Sequence, residues 1–244
     1  MKCLSCYLRK AFLHSIIGNQ CSIAKVVIPF GDDMRAGLLN DAVEYSPLQG
    51  FIVMEGVMDL YGVVAHFDQD TELYIKQVWK ELSDNAVSRY AEEVQDRRPH
   101  ITIAGYDSDV DIDKFISDFD CFYESKKQLS ITLNSIGTFL NSGIVFLAPV
   151  PSQEFLTFHA NYHHFFEKYR MNAESQYLPN IWIPHCTIAN RLNDENLKEA
   201  MVYCTKRIET LHATINEITV IKAIYENGKC IKSPSIYTKA LRFV

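Results

Sequence analysis

One hexapeptide occurs twice in this chain, almost unchanged. Pro99-His100-Ile101-Thr102-Ile103-Ala104 returns as Pro184-His185-Cys186-Thr187-Ile188-Ala189, and only the third position differs. The surroundings repeat as well. An apolar, β-branched strand over 61–67 leads to Asp68-Gln69-Asp70, a turn and helix cap. Leu73, Ile75, Val78, Trp79 and Leu82 then follow helical spacing. A polar loop ends at Arg97-Arg98-Pro99, and a strand over 100–105, a short helix over 111–119 and an alternating strand over 129–136 follow. The second half keeps this order. It has a strand over 144–148, a helix capped by Pro151-Ser152 and a loop ending at Ile183-Pro184. A strand over 185–189, a helix over 194–206 and a strand over 214–225 complete it. Phe155, Phe158, Tyr162, Phe165, Phe166 and Tyr169 are expected to stripe one side of its first helix. The histidine stands 39 positions after Tyr61 in one half and 41 after Ile144 in the other. Two β-α-β-α-β units of matched length imply an internal duplication. Residues 236–244 read as a terminal strand.

Alternate residues of a strand share a face. His100 therefore projects with Thr102, and His185 with Thr187, while Ile101, Ile103, Cys186 and Ile188 turn to the core. If a pseudo-two-fold relates the halves, both His-x-Thr pairs face one groove. Such a groove suits phosphodiester cleavage. One neutral imidazole takes a proton from the attacking oxygen, and one protonated imidazole gives a proton to the leaving oxygen. Imidazole titrates near working pH, and threonine hydroxyls donate to phosphate oxygens as charge develops. A single His-x-Thr on a strand carries little information. Packing, however, does not need a histidine twice at the same point.

These paired motifs in a duplicated α/β unit resemble the two-histidine (2H) phosphoesterase superfamily, which includes the 2′-5′ RNA ligase-like proteins and cyclic phosphodiesterases. The resemblance covers roughly residues 61–244. It implies a bilobal α/β (α+β) fold with antiparallel sheets around a central cleft, and it implies His100, Thr102, His185 and Thr187 as catalytic residues. It also implies chemistry on 2′,3′-cyclic phosphates, 2′-5′ linkages or related small esters, and the paired motifs themselves require no metal or cofactor.

Composition agrees with an ordinary globular protein. The chain has 244 residues, 48% of them hydrophobic, and a net charge of −6, which argues against tracking long duplexes by charge alone. A nucleotide or short RNA is the expected partner, and a monomer without membrane association is the expected state. Seven scattered cysteines read as reduced thiols in a cytoplasmic protein, since the Cys3/Cys6 pair has no second half to complete a zinc set. Residues 1–56 show no sustained periodicity. They read as an irregular N-terminal extension or a translated leader ahead of a 57–244 domain, with Met54 or Met58 as alternative starts.

Several other residues are candidates with an ordinary alternative beside each. Arg191 could bring a planar fork to a phosphate, or be a surface arginine. Tyr106 could stack a base, or sit at a rim. Trp182 could line the cleft, or anchor the core. His159 and His163 have metal-chelating i, i+4 spacing, with His164 beside them, but lack an accompanying carboxylate or cysteine. His66 could sit near the cleft or be a buried histidine on a backbone partner. Arg97-Arg98 and Lys126-Lys127 could steer an RNA end, or be solvated loop charges. A binding module that uses the same cleft without turnover is the alternative to an enzyme. A third possibility is a metal-dependent hydrolase built on His159 and His163. If 1–56 is a leader, a chain that starts at Met58 folds and keeps its activity. Loss of the cooperative thermal transition on that truncation would instead make the segment integral.

Overall fold

The computed structural model describes residues 57–169 and 175–243, so the expectations for 1–56 lie outside the described residues. Eight strands and four helices alternate in it. They are β1 (Val57–Phe67), α1 (Gln69–Asp84), β2 (Ile101–Asp107), α2 (Ile112–Tyr123), β3 (Leu129–Gly137), β4 (Val145–Pro149), α3 (Gln153–Phe165), β5 (Cys186–Ala189), α4 (Asp194–Arg207), β6 (Leu211–Glu226), β7 (Lys229–Lys232) and β8 (Ser235–Ala240). The expected caps are in place. Asp68 accepts from the Thr71 amide at 3.0 Å, and Ser152 accepts from the Phe155 amide at 3.2 Å. No described helix is long and apolar enough to cross a membrane.

All eight strands form one antiparallel sheet with the order β2-β1-β6-β3-β4-β5, and β7 and β8 add to β6. Exchanging the units (β1 for β4, β2 for β5, β3 for β6) turns this order into its own reverse. The duplication is therefore a pseudo-two-fold of the sheet, and each unit lends its third strand to the other. The symmetry centre is the β3–β6 pair, in which Leu129 faces Ile215 and Leu133 faces Leu211. The two lobes expected from the sequence are the two halves of this continuous sheet.

Burial follows the strand pattern. Ile101, Ile103, Cys186 and Ile188 are at most 1% exposed. The helices pack aromatic and aliphatic stripes on the same side. Ile75, Val78 and Leu82 of α1 are fully buried, and Phe115, Phe119, Tyr123, Tyr162 and Phe166 form a continuous aromatic cluster, with Phe155 buried against Trp182. Burying one such ring contributes roughly 1.5–3 kcal/mol. Two stripe positions differ from expectation. Leu73 and Phe165 are exposed, because successive helix residues turn through about 100° and one stripe cannot hold both Phe165 and Phe166. The C-terminal region also differs. The terminal strand is shorter than 236–244, and β7 precedes it, joined to β6 by a turn at Asn227-Gly228, both with positive φ. That dipeptide is a strong hairpin signal in sequence.

The β3–β4 connection closes tightly. Gly143 lies against the backbone of Leu192, whose amide donates to the Gly143 carbonyl at 3.0 Å. A Cβ on Gly143 would stand 2.2 Å from the Leu192 carbonyl oxygen. Gly143→Ala should cost about 1–3 kcal/mol in urea unfolding. Gly105→Ala, whose Cβ would first meet Tyr177 at 3.7 Å, should cost less than about 1 kcal/mol on the same scale. Equal costs would contradict this packing.

Candidate active site

The two motifs lie on β2 and β5, the outermost strands of the six-strand path, and the sheet curves until these strands approach one another. Each motif carries the same irregularity. Val63 pairs with Ala104 and Val64 with Thr102, which leaves Ile103 as a bulge. Val145 pairs with Ala189 and Phe146 with Thr187, which leaves Ile188 as its counterpart. A bulge bends its strand and changes the facing of every residue beyond it.

The carbonyls at these bulges are taken by side chains that cross between halves. The Trp79 indole of α1 donates to the Thr187 carbonyl at 3.3 Å. Trp182 of the second half donates to the Thr102 carbonyl at 3.0 Å. His163 of α3 bonds the Ile103 carbonyl at 3.1 Å. Two tyrosines that sequence reasoning passes over make a similar exchange. The Tyr90 hydroxyl meets the Thr187 side chain, and the Tyr177 hydroxyl meets Thr102. Their signal is positional, for each lies in the loop shortly before its own motif. The Cys186 side chain also meets the His100 backbone, and burial pushes its thiol up to about 12, so it is no thiolate at neutral pH.

Both motif histidines are half-buried and held alike. His100 Nδ1 bonds the Arg98 carbonyl at 2.6 Å, and His185 Nδ1 bonds the Ile183 carbonyl at 2.8 Å. A carbonyl only accepts, so each Nδ1 carries the hydrogen and each Nε2 keeps a free lone pair in the neutral ring. The surroundings are unequal. His185 touches the rings of Phe139 and Phe146 at 5.0 and 5.3 Å. His100 stands edge-on to His66 at 6.2 Å. Burial lowers the pKa of both. For His100 it falls to about 3, against a weaker upward pull from the Arg98 carbonyl and with further lowering from His66, Arg97 and His185. For His185 it falls despite the Ile183 carbonyl. Both imidazoles are thus neutral in the free protein at neutral pH.

The model of the 2′-5′ RNA ligase superfamily matches residues 69–224, more than half of the chain. The chain belongs to that superfamily. Among solved structures, TT0787 of Thermus thermophilus superposes with a TM-score of 0.51 at 10% identity, over 75% of this chain and 98% of that one, which shows the shared fold. LigT of E. coli, solved with 3′-AMP, gives a TM-score of 0.47 at 12% identity over 77% of this chain and 99% of that one. No curated protein matches the chain in sequence. Membership of this 2H phosphoesterase group supports phosphodiesterase-type activity in general.

The remaining candidates separate. Tyr106 is 4% exposed, and its hydroxyl bonds that of Tyr162 at 2.7 Å. The bulge at Ile103 turns it inward, so it packs edge-on against Phe115 in the core rather than on a base. Arg191 pairs with Glu93 at 2.7 Å and donates to the Cys230 carbonyl at 3.4 Å, so reaching a phosphate would break an ion pair. Trp182 stacks on His159 at 3.7 Å while holding Thr102, so it lies behind the motif. His159 and His163 direct their Nε2 atoms to the Tyr177 and Ile103 carbonyls, at 2.9 and 3.1 Å. Those two Nε2 atoms also lie 3.0 Å from each other, and among the described residues no third His, Cys, Asp or Glu joins them to hold a metal. His66 is buried on the Pro99 carbonyl at 2.9 Å. Among the described residues Arg97 has no carboxylate partner. It lies over the Tyr90 ring at 3.9 Å.

The histidine environment makes a direct prediction. The unfolded chain protonates an ordinary histidine near 6.5, whereas the folded His100 binds its proton only near 3. Folded-state stability should therefore fall as pH drops from about 6.5 toward 3. His100→Asn should flatten part of that slope in urea unfolding measured between these limits. An unchanged slope would mean that His100 titrates normally.

Proposed function

We propose that this protein is a metal-independent phosphodiesterase acting on RNA ends or small nucleotide phosphodiesters, of the 2′,3′-cyclic or 2′-5′ kind, with His100 and His185 as its acid–base pair. The observation that carries this reading is the matched anchoring of the two imidazoles. Each is held by the carbonyl two residues upstream, each presents Nε2, and both stand on bulged strands that approach one another.

The chemistry then runs as follows. The scissile phosphate lies between the two Nε2 atoms, with its non-bridging oxygens on the Thr102 and Thr187 hydroxyls. His100 is the base, because its burial and its cationic neighbour Arg97 keep it neutral. It takes the proton of an attacking water as the new oxygen–phosphorus bond forms. His185 is the acid. The phosphate's negative charge favours its protonated form, and it passes that proton to the leaving oxygen as the other bond breaks. A 2′,3′-cyclic phosphate opens to a monoester in this way, and a 2′-5′ linkage yields a monoester and a free hydroxyl. His66, Trp79 and Trp182 hold the motifs from behind and touch no substrate.

Turnover of a 2′,3′-cyclic nucleotide or 2′-5′ dinucleotide, with and without EDTA, tests the reading. His100→Ala and His185→Ala should each lower kcat by about 10²–10⁴-fold. Thr102→Ala and Thr187→Ala should lower it about 10–100-fold, the worth of one hydrogen bond to a charged oxygen. EDTA should change nothing. The kcat/KM profile reports the free enzyme, whose imidazoles both resist protonation, so its optimum should lie below about pH 6.5. Histidine variants that cleave like wild type would refute the mechanism. Tight nucleotide binding without turnover would point to a binding module instead.

A further inference from the structure

The two histidines have matching backbone acceptors, but only one acceptor is itself held by side chains. Arg98, whose carbonyl takes the His100 Nδ1–H, lies in a carboxylate clamp. Its Nε and one terminal nitrogen donate to the two oxygens of Glu72, at 3.1 and 2.8 Å. The other terminal nitrogen pairs with Glu217 at 2.7 Å. Glu72 stands on α1 and Glu217 on β6, directly across from His66 in the β1–β6 register. The clamp therefore joins a helix, a central strand and the stretch leading into β2.

The clamp is largely withdrawn from water. The Glu72 side chain is 11% exposed, Glu217 24% and Arg98 34%. Lys76 adds a second cation to Glu72 at 2.6 Å. Burial alone would raise the Glu72 pKa, but the bonds from Arg98 and Lys76 more than reverse this and bring it down to about 2. A forked, two-carboxylate arrangement fixes a guanidinium in position and in rotation. The next residue is tied as well, since His66 donates through Nδ1 to the Pro99 carbonyl at 2.9 Å. The Arg98 side chain and the Pro99 carbonyl are thus both held by contacts from outside their own stretch.

Among the described residues the other half has no such device. The residue two before His185 is Ile183, 54% exposed and without a polar side chain. Its carbonyl serves His185 without a clamp. The pseudo-two-fold is broken at the point that decides how firmly each imidazole is oriented.

We propose that Arg98, held by Glu72 and Glu217, is a positioning residue for His100: it fixes the carbonyl that keeps this imidazole as its Nδ1–H tautomer with Nε2 free to accept a proton. Imidazole in water favours the Nε2–H form, so an unheld His100 would place a hydrogen where the acceptor is needed. Arg98 touches no substrate in this role. The groups facing His100 from its neighbours are His66, Arg97, Arg98, His185 and, beyond Arg98, Glu72, Lys76 and Glu217. The kinetic part rests on the function proposed above, whereas the tautomer part does not.

The test compares wild type with Arg98→Gln, Arg98→Lys and Glu217→Gln in the full chain. Long-range ¹H–¹⁵N NMR of the histidine rings at pH 7.5 reads the tautomers. Wild-type His100 should be Nδ1–H, and Arg98→Gln should shift it toward Nε2–H with His185 unmoved. With a 2′,3′-cyclic nucleotide, kcat should fall about 10–100-fold and KM stay within about twofold, since an interaction that matters only as the proton moves affects kcat. Arg98→Lys, which keeps the charge and loses the fork, should fall between the two. Lys80→Ala breaks an exposed ion pair on the same helix and should change neither readout. If Arg98→Gln does not fold, Arg98→Lys and Glu217→Gln carry the same measurements. A folded variant whose His100 stays Nδ1–H overturns the proposal. So does a shifted tautomer with unchanged kcat. A wild type that turns over nothing would refute the proposed function and leave the tautomer result to decide the clamp.

Discussion

The antiparallel pairing of β3 with β6 is the constraint on which the approach of the two motif strands depends. Each unit completes its partner's half-sheet with its own third strand, so neither half-sheet is whole alone. The exchange makes the order β2-β1-β6-β3-β4-β5 symmetric and leaves the motif strands β2 and β5 as the two ends of one curved surface. A strand at the end of a sheet has unpaired backbone groups, which proteins ordinarily cover or blunt. Here some of them are met by side chains from the opposite half. Trp79 and Trp182 each cap a threonine carbonyl across the pseudo-two-fold. These bonds satisfy the edges and hold the motifs together, so the same contacts serve stability and alignment.

The bulges at Ile103 and Ile188 explain why the site is presented as it is. Without them, regular pleating would continue through each motif, and the residues past the threonines would keep alternating outward. With them, Ala104 and Ala189 are buried alongside Ile103 and Ile188, while the histidine and threonine before the bulge stay partly exposed. Symmetry then supplies two similar imidazoles, and the neighbourhood makes them different. Phe139 and Phe146 surround His185, whereas His66, Arg97 and the clamped Arg98 surround His100. Near-identical motifs thus place their imidazoles in unlike surroundings.

Much of this is legible in the sequence, because the informative signals are local and repeated. The hexapeptide, the caps at Asp68 and Ser152 and the helical stripes follow from short-range periodicity. What escapes depends on contacts far apart in the chain. Strand alternation extrapolated past Thr102 puts Tyr106 at the cleft, and this fails at a bulge that only pairing with β1 reveals. Arg97 and Arg98 look equivalent in sequence. The fold commits Arg98 to two carboxylates 26 positions before it and 119 after it, and leaves Arg97 on a tyrosine ring. Tyr90 and Tyr177 give no periodic signal because they act from loops. The Asn227-Gly228 turn is readable, and β7 follows from it.

The central claim is that one anion sits between two neutral imidazoles and is engaged by both. Titrating the free protein with inorganic phosphate while following the ring ¹⁵N signals of His100 and His185 tests it most directly. The account predicts that both histidines respond along a single one-to-one binding curve, and that one Nε2 gains a proton as phosphate binds. Phosphate that perturbs only one of the two, or that saturates elsewhere with both unmoved, would contradict it.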